Sequence, residues 1–158
     1  MDVLTPAGQQ TIQDELEAVS IWGQHHPDLI YCHTPKDRES PVDAVLTKSF
    51  KVCGVVETKC RYDMTVEQFF NEREGLWLVT FDKIINARQV ALSLGVPLLG
   101  FLYIVQDKTL LVKKITDAYG KFLIDIDITN TTTQMTVNGG SIVRSNAYLD
   151  MKGCQVYS

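Results

Sequence analysis

The sequence lacks the features that mark several large protein classes. It has no apolar run near the roughly 18 residues that a membrane-spanning helix needs, and its start lacks the basic and apolar blocks of a secretory signal. Its four cysteines form no C-x-x-C pair, and His25, His26, Cys32 and His33 fit no standard zinc-site spacing. Neither a glycine-rich phosphate loop nor a Ser/His/Asp nucleophile pattern is evident. We therefore expect a cytoplasmic protein with no membrane partner.

A strongly basic surface is also missing. The 158 residues predict one domain, and the 45% hydrophobic content is enough for a buried core. The net charge is −4, and the charges are unevenly spread. Residues 1–58 carry 4 basic and 9 acidic side chains, whereas residues 59–121 carry 9 and 7. Such a chain can bind nucleic acid through a local basic patch but not through a general positive field.

Apolar periodicity predicts an α/β fold with a mixed central sheet flanked by helices. A first helix begins after Thr5 with Pro6 at its first position, and a second begins after Thr80 and ends at Gly95. Strands are expected at 29–32, 42–46, 52–59, 98–105 and 110–113. The predicted order is α-β-β-β-α-β-β, with 61–79 irregular by pattern.

The C-terminal part of the chain reads as a β-rich addition. Apolar and polar residues alternate over 122–128, and Asn138-Gly139 predicts a hairpin between 134–137 and 141–144. Tyr148, Leu149 and Val156 suggest further short strands. We expect a core at 1–117 and an extension at 118–158 that packs on the core or on a second subunit, with no chemistry indicated for it.

One cluster of charged residues predicts chemistry. Glu57 and Lys59 follow the apolar stretch 52–56, and alternation along a strand puts them on one face, with Asp43 on the neighbouring strand. Two carboxylates and an ammonium at the end of a buried strand are costly unless they meet a cation or a substrate. Two hard oxygen ligands suit Mg²⁺ or Mn²⁺, and the lysine can orient or deprotonate a water held there.

The spacing Pro41-x-Asp43, thirteen residues, Glu57-x-Lys59 resembles the motif of the PD-(D/E)XK nuclease superfamily. Glu15-x-x-Ala18-x-x-x-Trp22 in the first helix is similar to the acidic helix of its RecB-like and Holliday-junction-resolvase-like members. The resemblance covers roughly residues 8–115, and it departs from the name motif at Val42, where proline would directly precede the aspartate. It implies a restriction-endonuclease-like core and metal-dependent hydrolysis of a phosphodiester bond.

The resemblance also assigns roles to residues. Asp43, Glu57 and the Thr58 carbonyl would hold Mg²⁺ or Mn²⁺, Glu15 would add an acidic group, and Lys59 would position the attacking water. Six side chains are candidate nucleic-acid contacts, two of them in the polar loop 34–41, one after the motif and three on the second helix: Lys36, Arg38, Arg61, Lys83, Arg88 and Gln89.

These assignments predict a Mg²⁺- or Mn²⁺-dependent deoxyribonuclease. Endonucleolytic cleavage is favoured and structure-specific cutting is left open, with duplex or branched DNA as the partner. Resolvase-like members act as dimers, so a homodimer or another protein partner is expected. The alternative is a catalytically inactive module of the same fold that binds nucleic acid or protein.

Overall fold

The structure is a computed structural model that describes residues 5–133 and 142–158. Its three α-helices in those residues are α1 (Pro6–His25), α2 (Val66–Glu72) and α3 (Phe81–Leu94). Its strands there are β1 (Ile30–His33), β2 (Ala44–Lys48), β3 (Lys51–Arg61), β4 (Leu76–Thr80), β5 (Leu98–Ile104), β6 (Thr109–Thr116), β7 (Ile126–Thr133), β8 (Ile142–Asp150) and β9 (Gln155–Tyr157).

A six-stranded mixed sheet has the order β1-β2-β3-β5-β6-β9. Strands β3 and β5 are parallel, and the other neighbours are antiparallel. A parallel pair needs a long crossover connection, and here α2, β4 and α3 supply it. The predicted mixed α/β class with a mixed central sheet is confirmed.

Helices α1 and α3 pack on different hydrophobic clusters of the sheet. The Thr5 hydroxyl accepts a hydrogen bond of 3.0 Å from the Gly8 amide, so the predicted start of α1 is confirmed. Ala18 and Trp22 of α1 are buried in one cluster. Helix α3 contributes its buried residues to the other cluster and ends at Gly95, whose φ of 68° is left-handed. Alternate residues of β3 therefore face α1 and α3.

The expectation that 61–79 is irregular is wrong. Helix α2 forms there with a capping box between Thr65 and Gln68, and β4 follows it. Strand β4 pairs antiparallel with β8, which lies some 70 residues later in the chain. The apolar residues of 76–79 thus belong to a strand whose partner is distant in sequence.

The C-terminal strands pack on the rest of the described chain. A second, three-stranded sheet has the order β4-β8-β7, and β9 pairs with β6 at one edge of the main sheet. Leu149 and Met151 are fully buried in the cluster that contains α3, and Lys113 Nζ donates to the Asp150 carbonyl at 2.8 Å. The predicted Asn138-Gly139 turn lies outside the described residues, and the division at 117 stays a prediction. None of the described helices is long and apolar enough to span a membrane.

Candidate active site

Glu57 is a buried carboxylate in the middle of the mixed sheet. The apolar residues Val55 and Val56 carry β3 through the core, and Glu57 follows them with a relative exposure of only 2%. It pairs with Gly100 of β5 and faces the α3 side. Lys83, in the first turn of α3, places its Nζ 2.9 Å from Glu57 Oε1. Within the described residues, Glu57 Oε2 has no hydrogen-bond partner.

Burial changes the protonation of this carboxyl group. Desolvation raises the pKa of Glu57 to about 7, and the negative charge of Asp43 acts in the same direction. The ammonium of Lys83 opposes this shift without cancelling it. Burial disfavours the charge on Lys83, but the carboxylates of Glu57 and Asp43 raise the pKa of Lys83 overall. A strongly shifted carboxyl group with a specific charge partner is typical of a functional site.

Asp43 lies directly before β2 and is held there by backbone contacts. Its amide donates to the Val56 carbonyl at 3.2 Å, and its own carbonyl accepts from the Thr34 amide at 3.0 Å. Its Oδ2 accepts a hydrogen bond of 2.8 Å from the Thr58 amide. The carboxylate is therefore fixed beside the strand that carries Glu57.

Glu15 approaches Asp43 from the side of the sheet that α1 covers. It is 7% exposed on α1, and burial raises its pKa. Lys36 Nζ lies 3.2 Å from Glu15 Oε2 and 3.8 Å from Asp43 Oδ1. The Lys36 ammonium, in the polar loop, thus bridges Glu15 and Asp43, two of the three predicted acidic site residues. Lys36, expected to touch phosphates, occupies the position between these carboxylates.

Two clefts meet at Lys59. The first cleft is a cavity of about 610 Å³ lined by Glu15, Lys36 and Asp43 among others. The second cleft, of about 560 Å³, lies between β3 and the second sheet and is lined by Glu57, Trp77 and Arg144 among others. Four residues line both clefts: Thr58, Lys59, Arg61 and Lys83. Lys59 is exposed, and within the described residues it forms no ion pair.

The predicted nucleic-acid contacts are only partly brought together. Lys36, Arg38, Arg61 and Lys83 line the first cleft. Arg61 is tied to the second sheet because its Nη2 donates to the Leu78 carbonyl at 2.9 Å. Arg88 donates to the Gly120 carbonyl and covers the Phe122 ring, and neither it nor Gln89 lines either cleft.

Several residues at the site were not predicted from the sequence. Tyr31 on β1 shares a hydrogen bond of 2.8 Å with the Thr58 hydroxyl, and Arg144 reaches the second cleft from β8. A single aromatic residue in a short strand and a single basic residue among uncharged neighbours carry no local signal of such roles. His26 Nε2 and the Tyr157 hydroxyl are 3.2 Å apart, so this histidine contacts the edge strand β9.

The donor atoms suit a small, hard divalent cation. Asp43 and Glu57 supply carboxylate oxygens, and Oε2 of Glu57 is buried without a partner in the described part of the chain. Among residues 5–133 and 142–158, no three His, Cys, Asp or Glu side chains are grouped to hold a metal ion. Mg²⁺ in proteins usually keeps several waters and binds through one or two carboxylates, and Asp43 and Glu57 are the carboxylates that a metal ion here would use. Comparison with known proteins found no matching family model, curated protein or solved structure.

Proposed function

We propose that this protein is a Mg²⁺- or Mn²⁺-dependent deoxyribonuclease that cleaves phosphodiester bonds endonucleolytically. The observation that carries the proposal is Glu57, a carboxylate that is 2% exposed and lines the second cleft together with the cations Lys59 and Lys83. Leaving a carboxylate oxygen buried without a partner is costly. A cation bound there offsets that cost.

The order of the elements supports a restriction-endonuclease-like core. Strands β1, β2 and β3 form a meander, α3 connects β3 to its parallel neighbour β5, and α1 covers the opposite face. The proposal uses Asp43 directly before β2, Glu57 and Lys59 on β3, and Glu15 on α1, the residues to which the resemblance to PD-(D/E)XK nucleases assigns the chemistry. The inserted α2 and β4 lie in the crossover and leave these positions intact.

In this proposal Asp43, Glu57 and the backbone carbonyl of Thr58 would hold the metal. The bound ion would neutralise a phosphate oxygen and acidify a water. The chain's own residues then have separate tasks. The Thr58 amide fixes the Asp43 carboxylate, Lys83 partly neutralises Glu57, and the exposed ammonium of Lys59 orients a water at the cleft junction.

DNA, duplex or branched, is the proposed substrate. The structure supports a local rather than a general interaction with phosphates, because the basic residues of the clefts sit in a chain of net charge −4. A homodimer or another protein partner would then supply specificity. Cleavage of junction, flap, duplex and single-stranded DNA under identical conditions would rank these substrates.

The test pairs metal binding with cleavage. We expect Mg²⁺ or Mn²⁺ to raise the unfolding temperature of the parent protein and to support cleavage of at least one DNA substrate. Asp43→Asn and Glu57→Gln should lose both responses. Asp37→Asn is the matched control, because Asp37 is an exposed loop acid that pairs only with Arg38 among the described residues. Cleavage by either site variant within about tenfold of the parent, or ~1.4 kcal/mol of barrier, contradicts the metal assignment.

A second function is favoured by one observation. Lys36 bridges Glu15 and Asp43, and Lys83 pairs with Glu57, so the acids already have cationic partners from the chain itself. An inactive module of the same fold that binds nucleic acid or protein would need no metal. Such a module would bind DNA equally well with and without divalent metal and would show no metal-dependent change in unfolding temperature.

A further inference from the structure

The second cleft has the composition of an anion site. Lys59, Lys83 and Arg144 line it, and Glu57 is the acidic side chain among its described lining residues. Lys83 is engaged with Glu57. Arg144 is exposed on β8, and neither it nor Lys59 forms an ion pair within the described residues. Two cations therefore remain for a ligand.

Two uncharged residues that also line this cleft, Thr80 and Trp77, are associated with hydrogen-bond donors. Thr80, which lines it, precedes the first residue of the 14-residue helix α3, and its side chain makes no capping hydrogen bond. The first amides of a helix have no partners within the helix and carry a partial positive charge. Trp77 also lines the cleft and is 1% exposed, and its Nε1 has no hydrogen-bond partner in the described chain. A buried donor of this kind normally has an acceptor.

The position of the second cleft beside the first indicates which kind of anion would bind there. It shares Lys59, Arg61 and Lys83 with the first cleft, so a ligand that fills both must carry negative groups at short intervals. A nucleic-acid strand has one phosphate per nucleotide, and arginine binds phosphate oxygens through two parallel hydrogen bonds. An extended acidic peptide has a similar charge density but no such regular oxygen clusters.

We propose, resting on the proposed function, that the second cleft binds a backbone phosphate of the nucleic-acid strand next to the phosphate that is cleaved, with Arg144 as its outer cation. The second sheet then forms one wall of the substrate groove. Strand β8 contributes a substrate-binding residue, and the β-rich end of the chain takes part in recognition.

The experiment measures binding of a short fluorescein-labelled single-stranded DNA by anisotropy in EDTA over a series of salt concentrations. We expect Arg144→Gln to weaken binding at low salt by about three- to tenfold and to reduce the slope of log K against log salt by about 0.7. Arg144→Lys should keep the slope. Lys51→Gln is the control, because Lys51 is exposed at the far end of β3, about 20 Å from Glu57 at the usual rise per residue.

Binding by Arg144→Gln with the affinity and slope of Lys51→Gln overturns the inference, as does a parent protein that binds no DNA. Equal competition by polyglutamate overturns it in favour of an acidic protein partner. Arg144-dependent binding by a parent that cleaves no DNA with Mg²⁺ or Mn²⁺ supports the phosphate site and rejects the nuclease. Metal-dependent cleavage by a protein whose DNA binding does not depend on Arg144 supports the nuclease and rejects the phosphate site.

Discussion

Lys83 Nζ lies 2.9 Å from Oε1 of Glu57, yet the two side chains differ sharply in exposure, at 53% and 2%. The carboxylate cannot move to water, whereas the ammonium is half-exposed and is screened by solvent. The pair therefore stabilises the charge on Glu57 less than two equally buried partners would. Desolvation of Glu57, together with the negative charge of Asp43, outweighs this compensation, so the pKa of Glu57 stays raised despite a cation at contact distance.

Glu57→Gln should remove a pH dependence of stability in metal-free buffer. The pKa of Glu57 is about 7 in the folded protein against an ordinary value of 4.5, so the folded state binds more protons between these values. The free energy of unfolding must therefore fall as the pH rises from 4.5 to 7 and stay lower above it. We expect Glu57→Gln to match the parent near pH 4.5 and to exceed it by about 2–3 kcal/mol at pH 8.

Denaturant unfolding at a series of pH values measures this difference. Glu39→Gln, at an exposed position of the polar loop, provides the control for loss of one negative charge. An unchanged pH slope in Glu57→Gln would mean that Glu57 is ionised in the folded protein and well compensated.

Much of the fold follows from local signals in the sequence. Thr5 and Pro6 define the start of α1, and Gly95 with its left-handed φ ends α3, because caps and turns depend on a few adjacent residues. The apolar run before Glu57 identifies a buried strand. Strand β4 escaped prediction because its five residues show no alternation and its partner is β8, so the pairing is specified by tertiary contacts.

In the candidate site, too, some residues can be predicted from local sequence and others depend on tertiary contacts. Asp43, Glu57 and Lys59 could be predicted because their spacing along the chain resembles a known motif. The ion pairs of Lys36 could not be predicted, since the loop 34–41 has no periodicity and its path decides which acids the ammonium meets. Arg144 lies far from the motif in sequence and reaches the second cleft only because β8 pairs with β4.

Lys36→Met should have opposite effects on stability and on metal affinity. Without divalent metal, Glu15 and Asp43 lose their shared cation, so we expect a loss of about 1 kcal/mol in unfolding free energy. With metal, the ammonium no longer competes for the carboxylates, and Mn²⁺ should bind several-fold more tightly by calorimetry. Arg38→Met removes a cation from the same loop that pairs with the exposed Asp37, and should change neither quantity. Weaker Mn²⁺ binding by Lys36→Met would show that Lys36 positions the ligands instead of competing with the metal.

Gly100→Ala should destabilise the protein through Trp77. A Cβ at Gly100 would lie 2.6 Å from Trp77 Cζ3 and 3.0 Å from Ile115 Cδ1, so buried side chains must shift. We expect a loss of about 1–3 kcal/mol. Gly23→Ala is a matched control in α1, where the new Cβ meets nothing within 4 Å and should instead stabilise the helix by up to ~1 kcal/mol. Thermal unfolding of both variants measures the contrast, and equal effects would mean that Trp77 does not pack on Gly100.

Lys59 is the residue at which catalysis and folding can be separated. It is exposed, lines both clefts and forms no ion pair within the described residues, so its removal should leave the unfolding free energy within about 0.5 kcal/mol of the parent. Its ammonium is not assigned to the metal, so Lys59→Ala should bind Mn²⁺ with nearly parental affinity.

The rate should behave differently from binding and stability. A group that orients a water or stabilises developing charge contributes on the order of 10²–10⁴ to the rate, and Lys59→Ala should lose that factor in single-turnover cleavage. Lys59→Arg should not restore it, because a planar guanidinium is suited to bidentate contacts and does not give up its proton. If Lys59→Ala loses metal binding and rate together, or loses neither, Lys59 is a structural residue near the end of β3 and the proposed role in the chemical step is wrong.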